Sequence, residues 1–195
     1  MNKEEKINKI IDIMNLHIRG AGDYEGVKNK VDFYMEKYLL PIITPTFKIL
    51  DVGAGDCFTA DYLKDKVAYW EGINKGIDWE NNKEKYNIKN SDFNFMDYKS
   101  NSFDLLISVS TLEHSYFPLM MLAEMNRISK KYIYVQLPAP ERESGIPYDD
   151  HPDHYFVLSR KGWINIFKKF NLKILKNGTD GAEYQFLLEK TKDWY

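Results

Sequence analysis

The chain has one cysteine, Cys57, in 195 residues. An intrachain disulfide is therefore impossible, and an intracellular, cytoplasmic setting is expected. There is no Lys/Arg block. The 27 basic and 29 acidic residues leave a net charge of −2, and the pI is about 6.1. That balance disfavours a broad, sequence-independent nucleic-acid surface, without closing the option of a small basic groove. No apolar run is long enough to span a bilayer, and the charged start of the chain lacks the apolar core of a signal peptide. No membrane partner is expected. Internal repeats and low-complexity linkers are absent as well.

What is present is the composition of a soluble globular protein, 44% hydrophobic and 29% charged. Aromatic residues are plentiful at 15%, with 14 tyrosines suited to core edges and ligand pockets. The length fits one domain over 1–195. Ile7, Ile10, Ile11, Met14 and Ile18 form one helical stripe, and Val27, Val31, Tyr34 and Tyr38 another. Together they predict a helical N-terminal cap over 1–40 that mainly packs on the core, with a border of the pocket as a second role open to Tyr24, Tyr34 and Tyr38.

Strand and helix signals alternate through 47–190. Strands are expected at Phe47–Asp51, Val67–Ile73, Asp92–Phe95, Phe103–Val109 and Tyr132–Leu137. Helices are expected at Phe58–Lys66, Trp79–Tyr86 and Pro118–Ile128, and from an N-cap at Ser159 through Phe170. Strands at Leu172–Leu175 and Tyr184–Leu188 follow one another too closely for a helical crossover, so they do not form a βαβ unit. The pattern predicts an α/β, Rossmann-like, doubly wound fold, mainly parallel with a C-terminal antiparallel strand.

The most informative stretch runs from Ile49 to Leu63. A short apolar run ends in Asp51, a Gly-x-Gly turn follows at Gly53 and Gly55, and Phe58, Tyr62 and Leu63 recur at helical spacing. Strand, glycine turn and helix form the unit that brings backbone to a nucleotide-like ligand. Downstream, Asn74 and Asp78 stand where an acid commonly holds a ribose. Asp92 and Phe93 come next, and a buried strand then leads through Ser110 into Glu113 and His114.

The order GAG, GIN, DF, SFDLLIS, LEHS and EMNRIS, over roughly residues 47 to 176, resembles class I S-adenosylmethionine-dependent methyltransferases of the small methyltransferase-domain type. The resemblance implies S-adenosylmethionine as cofactor. It implies that Asp51, Gly53, Ala54 and Gly55 lie at the cofactor, with the glycine turn against its methionine part. Asn74 or Asp78 would hold the ribose, Asp92 the adenine amino group with Phe93 beside the ring, and Ser110 would line the sulfonium. The family's third glycine is replaced by Cys57 or Phe58, and its usual ribose acid by Asn74. Cys57 is read as a small packing residue. A dinucleotide dehydrogenase would share the glycine turn, but the full G-x-G-x-x-G is missing and the LEH segment is left unexplained.

On the acceptor side the resemblance places Glu113 and His114 near the sulfonium. His151 or His154 could take a proton from an acceptor hydroxyl or amine, with His154 favoured because Pro152 gives His151 a turn role. Asp149, Asp150 and Asp153 offer oxygen donors suited to Mg²⁺, but a solvated loop is the commoner state of such a run, and no metal is expected. DNA amino-methyltransferases carry Asn/Asp-Pro-Pro-Tyr/Phe after the fourth strand, where this chain reads Ser110-Thr-Leu-Glu-His114. A small-molecule or saccharide acceptor is therefore expected. A non-catalytic, cofactor-binding subunit and a nucleic-acid or protein methyltransferase remain the alternatives.

Overall fold

The computed structural model describes residues 33–140 and 154–193, apart from the side chains of residues 76–78. Most of the expected N-terminal cap, including Tyr24, lies outside these residues, as do Asp149, Asp150, His151 and Asp153. Seven strands form one sheet in the order β3-β2-β1-β4-β5-β7-β6. They are β1 (Lys48–Val52), β2 (Tyr69–Asn74), β3 (Ile88–Asn90), β4 (Phe103–Val109), β5 (Ser129–Pro138), β6 (Leu172–Thr179) and β7 (Glu183–Lys190). Strands β1 to β5 are parallel to one another. β7, inserted between β5 and β6, is antiparallel to both. The expected fold class holds.

Alternation along the strands explains why both faces of the sheet are covered. Leu50, Leu106, Ile133, Val135, Phe186 and Leu188 face one core, and Ile49, Leu105, Ile107, Tyr134 and Leu187 face the other. The first core is closed by α3 (Pro118–Ile128) and α4 (Arg160–Lys169). Pro118 sits at the start of α3, where its missing N–H costs nothing. Met121, Leu122, Met125 and Ile128 recur at helical spacing toward the sheet. Ser159 caps α4 as expected, its hydroxyl accepting from the Gly162 N–H at 3.3 Å. Trp163 and Phe167 of α4 stack at 5.9 Å, and Phe167 meets Phe186 of β7 edge-on at 5.0 Å.

The second core is closed by α1 (Phe58–Leu63) and by a π-helical turn, Met35–Leu39. Tyr34 and Tyr38 are buried here, their rings 5.2 and 5.6 Å from that of Tyr134. They are core residues covering the ring of Tyr134, in line with the packing role expected of this stripe.

Two expected elements move. The expected helix Trp79–Tyr86 is α2, Gly76–Asn82, starting directly after β2. The expected strand Asp92–Phe95 is a turn, and β3 precedes it, with Ile88 and Asn90 paired to Gly72 and Asn74. Asp92 ends the strand register by accepting from the Asn94 N–H at 2.8 Å. In the C-terminal hairpin, β6 carries a register shift between Ile174 and Lys176, and the turn falls at Asp180–Ala182.

Phe167 is fully buried between two aromatic neighbours. Phe167→Ala should therefore cost about 3–5 kcal/mol of unfolding free energy. Urea denaturation would show this as a lower midpoint at unchanged slope.

Candidate active site

The order of the sheet places a switch point between β1 and β4, whose following connections leave toward opposite faces. At that point β1 ends in Asp51 and Val52, and the chain turns through Gly53 and Gly55 with φ of 77° and 51°. Gly53 is obligatory for two reasons. Its φ is left-handed, and a Cβ there would overlap the hydroxyl and methyl of Thr111, the residue that follows β4 and Ser110. Gly55 is different, because a Cβ there would meet nothing within 4 Å. The turn is open at Gly55 and closed at Gly53.

Cys57 takes the next left-handed position, with φ of 61°. It is the residue standing where a third glycine would be easiest. It is fully buried, and burial, aided by the charges of Asp51, Asp56 and Asp61, pushes its thiol up to about 12. Such a thiol is not a nucleophile, in line with a packing role.

The N–H groups of the turn are largely used inside the protein. Those of Gly53 and Ala54 donate to the Ile73 carbonyl at 2.9 and 3.2 Å. The Gly55 N–H donates to Asn74 Oδ1 at 3.0 Å, and Asn74 Nδ2 returns a bond to the Gly55 carbonyl at 2.9 Å. Asn74 is 2% exposed and spends both ends of its amide on the turn. It therefore acts as a brace for Gly55, where a ribose contact was expected. The other ribose candidate, Asp78, belongs to α2, and its side chain lies outside the description.

Asp51 lies beneath the turn, 3% exposed, accepting from the Thr59 hydroxyl of α1. Thr59 in turn accepts from the Trp70 indole N–H at 3.2 Å. Burial raises the Asp51 carboxyl to about 7, against a smaller lowering by the Thr59 bond. Asp92 follows β3, and its second oxygen is paired with Lys75 at 3.3 Å. Lys75, the residue between β2 and α2, carried no signal in the sequence beyond its charge. Phe93 is 5% exposed and belongs to the core beside Leu50 and Ile73. Its first role is packing under the site. The segment after Asp92 is tied to α3 by the EMNRIS motif. Arg127 donates to the Tyr98 and Met96 carbonyls at 2.6 and 3.0 Å, and Glu124 accepts from the Met96 N–H at 3.1 Å.

Beyond β4, Ser110 adopts φ of 46° and turns its hydroxyl toward Glu183 of β7 at 3.5 Å. Glu183 also accepts from the Gln136 amide of β5. This polar group escaped sequence reasoning because β7 reaches the site only through the antiparallel insertion. A 3-10 turn, Leu112–His114, then presents Glu113 and His114. The Glu113 carbonyl accepts from the N–H groups of Tyr155 and Phe156 at 2.8 and 3.3 Å. That clamp brings His154 to His114, with ring centroids 4.7 Å apart at 73°. Tyr116 and Tyr155 stack beside them at 4.3 Å. The three acceptor-side residues expected from the sequence thus lie together.

The methyltransferase-domain family profile matches residues 27–177, well over half of the chain. The chain belongs to the methyltransferase-domain family. An S-adenosylmethionine-dependent methyltransferase from Aquifex aeolicus superposes with a TM-score of 0.63 at 19% identity, over 87% of this chain and 100% of that one. One from Archaeoglobus fulgidus reaches 0.70 at 15% identity, over 87% and 95%. The cyclase SpnF reaches 0.68 at 13% identity, over 88% and 84%. At such identities the likeness shows the fold alone. None of the curated proteins matches the chain.

S-adenosylmethionine is the cofactor of this family, and the site fits it. A pyrophosphate needs unspent N–H donors at the glycine turn. Here the turn spends them on Ile73 and Asn74 and offers open space at Gly55. Spent donors argue against a pyrophosphate and so against a dinucleotide, and the open face at Gly55 leaves room for the methionine part of S-adenosylmethionine.

Two outcomes follow from this geometry. Asn74→Ala removes both bonds to Gly55 and should lower unfolding free energy by about 1–3 kcal/mol, read by urea titration. Asp51 gives a pH signature. Its folded value near 7 exceeds the ordinary 3.8, so the native state holds the proton more tightly than the unfolded state does. No penalty exists below pH of about 4; it grows as pH rises and is complete above about 7, reaching on the order of 4 kcal/mol. Asp51→Asn should thus gain stability relative to wild type between pH 4.5 and pH 8. A difference that is flat across that range would contradict the buried, proton-holding carboxyl.

Proposed function

We propose that the protein transfers a methyl group from S-adenosylmethionine to a hydroxyl or amine of a small molecule or saccharide. The observation that supports this reading most is the contact of Thr111, two residues before Glu113 of the Glu113–His114–His154 group, with Gly53 of the glycine turn. When bound, the cofactor supplies an electrophilic methyl on a sulfonium. The chain's residues have three tasks: binding, alignment and exclusion of water. The Gly53–Gly55 turn, braced by Asn74, would receive the methionine part. Asp92 would hold the adenine amino group, and Asp78 the ribose. Glu113, His114 and His154 would face the acceptor and hold it in line with the methyl. An acceptor hydroxyl or protonated amine must also lose a proton, and these are the polar groups placed to help.

The small-molecule or saccharide class is supported by the net charge of −2 and by the reading Ser110-Thr-Leu-Glu-His114 after β4. A second reading, cofactor binding without transfer, is favoured by one observation. The amide at the usual ribose position is committed to the turn.

Calorimetric titration with S-adenosylmethionine should show one site per chain, weakened about 5–150-fold in Asp92→Ala. Mass spectrometry should then find a methylated product among hydroxyl- and amine-bearing small molecules and sugars. Binding without any product across such a panel would favour the second reading. No binding in the folded protein would overturn both.

A further inference from the structure

We propose that Glu113, His114 and His154 bind one divalent transition-metal cation. Each offers one donor atom, a carboxylate oxygen or an imidazole nitrogen, and the three atoms all lie within 4.8 Å of one another. Metal bonds of about 2.0–2.2 Å hold neighbouring donors about 3–3.5 Å apart. The observed spacing is within about 2 Å of that.

The scaffold around the donors is already built. Glu113 and His114 are adjacent on the 3-10 turn directly after β4. His154 arrives from the segment between β5 and α4, and the Glu113 carbonyl holds the next two N–H groups of that segment. The Tyr116–Tyr155 stack secures the same two segments a second time. Glu113 is 1% exposed, while the two histidines are partly exposed. The group is therefore anchored on the buried side and approachable from the other. Thr111, two residues before Glu113, touches Gly53, which ties the donors to the cofactor turn.

The donor chemistry sets the ion. Two imidazoles with one carboxylate favour Zn²⁺ and related first-row cations over Mg²⁺ and Ca²⁺, which prefer oxygen throughout. Three protein ligands leave at least one coordination position open. An acceptor oxygen is the natural occupant, since it must lie at the methyl. This deepens the proposed function and rests on it for the acceptor: the ion would select an oxygen-bearing acceptor and hold it by that oxygen.

The test uses untagged, chelator-treated, dialysed protein. Calorimetry with Zn²⁺, and absorbance with Co²⁺ as a spectroscopic probe, should show one ion per chain. Glu113→Gln and His154→Ala should each weaken binding at least tenfold and alter the Co²⁺ bands, with circular dichroism unchanged. His114→Gln provides a third variant should either of these fail to fold. S-adenosylmethionine titration is run in parallel. Ion binding without cofactor binding would keep the metal site and remove the methyltransferase reading. Cofactor binding without stoichiometric ion binding would overturn the metal site alone. Binding that survives in the folded variants, or binding of Mg²⁺ in preference to Zn²⁺, would place the ion on other donors and overturn it too.

Discussion

The close approach of Thr111 to Gly53 is the constraint around which the site is arranged. Strands β1 and β4 are neighbours in register, with Ile49, Leu50 and Asp51 beside Leu105, Leu106 and Ile107. Their carboxyl ends must therefore part over a very short distance, one chain entering α1 and the other the 3-10 turn. Only a residue without a side chain, in a left-handed conformation, lets the two exits pass. The glycine turn and the Glu113–His114 turn hang from these exits. Asn74 braces one of them from β2, and the Glu113 carbonyl uses the other to hold the strand-to-helix segment that delivers His154.

Much of the fold was legible because its signals are local. The buried strand Phe103–Val109 and the helix Pro118–Ile128 read directly from a run that is apolar apart from Asp104 and Ser108 and from an N-terminal proline before a 3.6-residue stripe. Ser159 read as a cap for the same reason. The misplacements fall where an element has too few buried residues to mark it. β3 is three residues long and mostly exposed, so the more apolar Asp92–Phe95 looked like the strand. α2 begins on Gly76, a poor helix former, so its first turn was missed.

The site was legible in its membership more than in its division of labour. The glycine turn, Asp92 and the LEH segment are marked by residue type. That Asn74 braces the turn, that Lys75 pairs with Asp92 and that Glu183 reaches Ser110 depend on which strands lie side by side. β7 is the clearest case. Nothing in its own residues says that it slips between β5 and β6, yet that insertion carries Glu183 to the edge of the site.

The same insertion decides where the sheet stops. With β7 inside, the outermost strands among the described residues are β3 and β6. One offers three residues to any newcomer. The other is interrupted between Ile174 and Lys176 and bears Lys173 and Lys176, the latter reaching back to the Lys37 carbonyl at 2.8 Å. Short length, a broken ladder and charge each discourage an eighth strand. In a sequence rich in aromatic residues, such edges disfavour edge-to-edge pairing between copies.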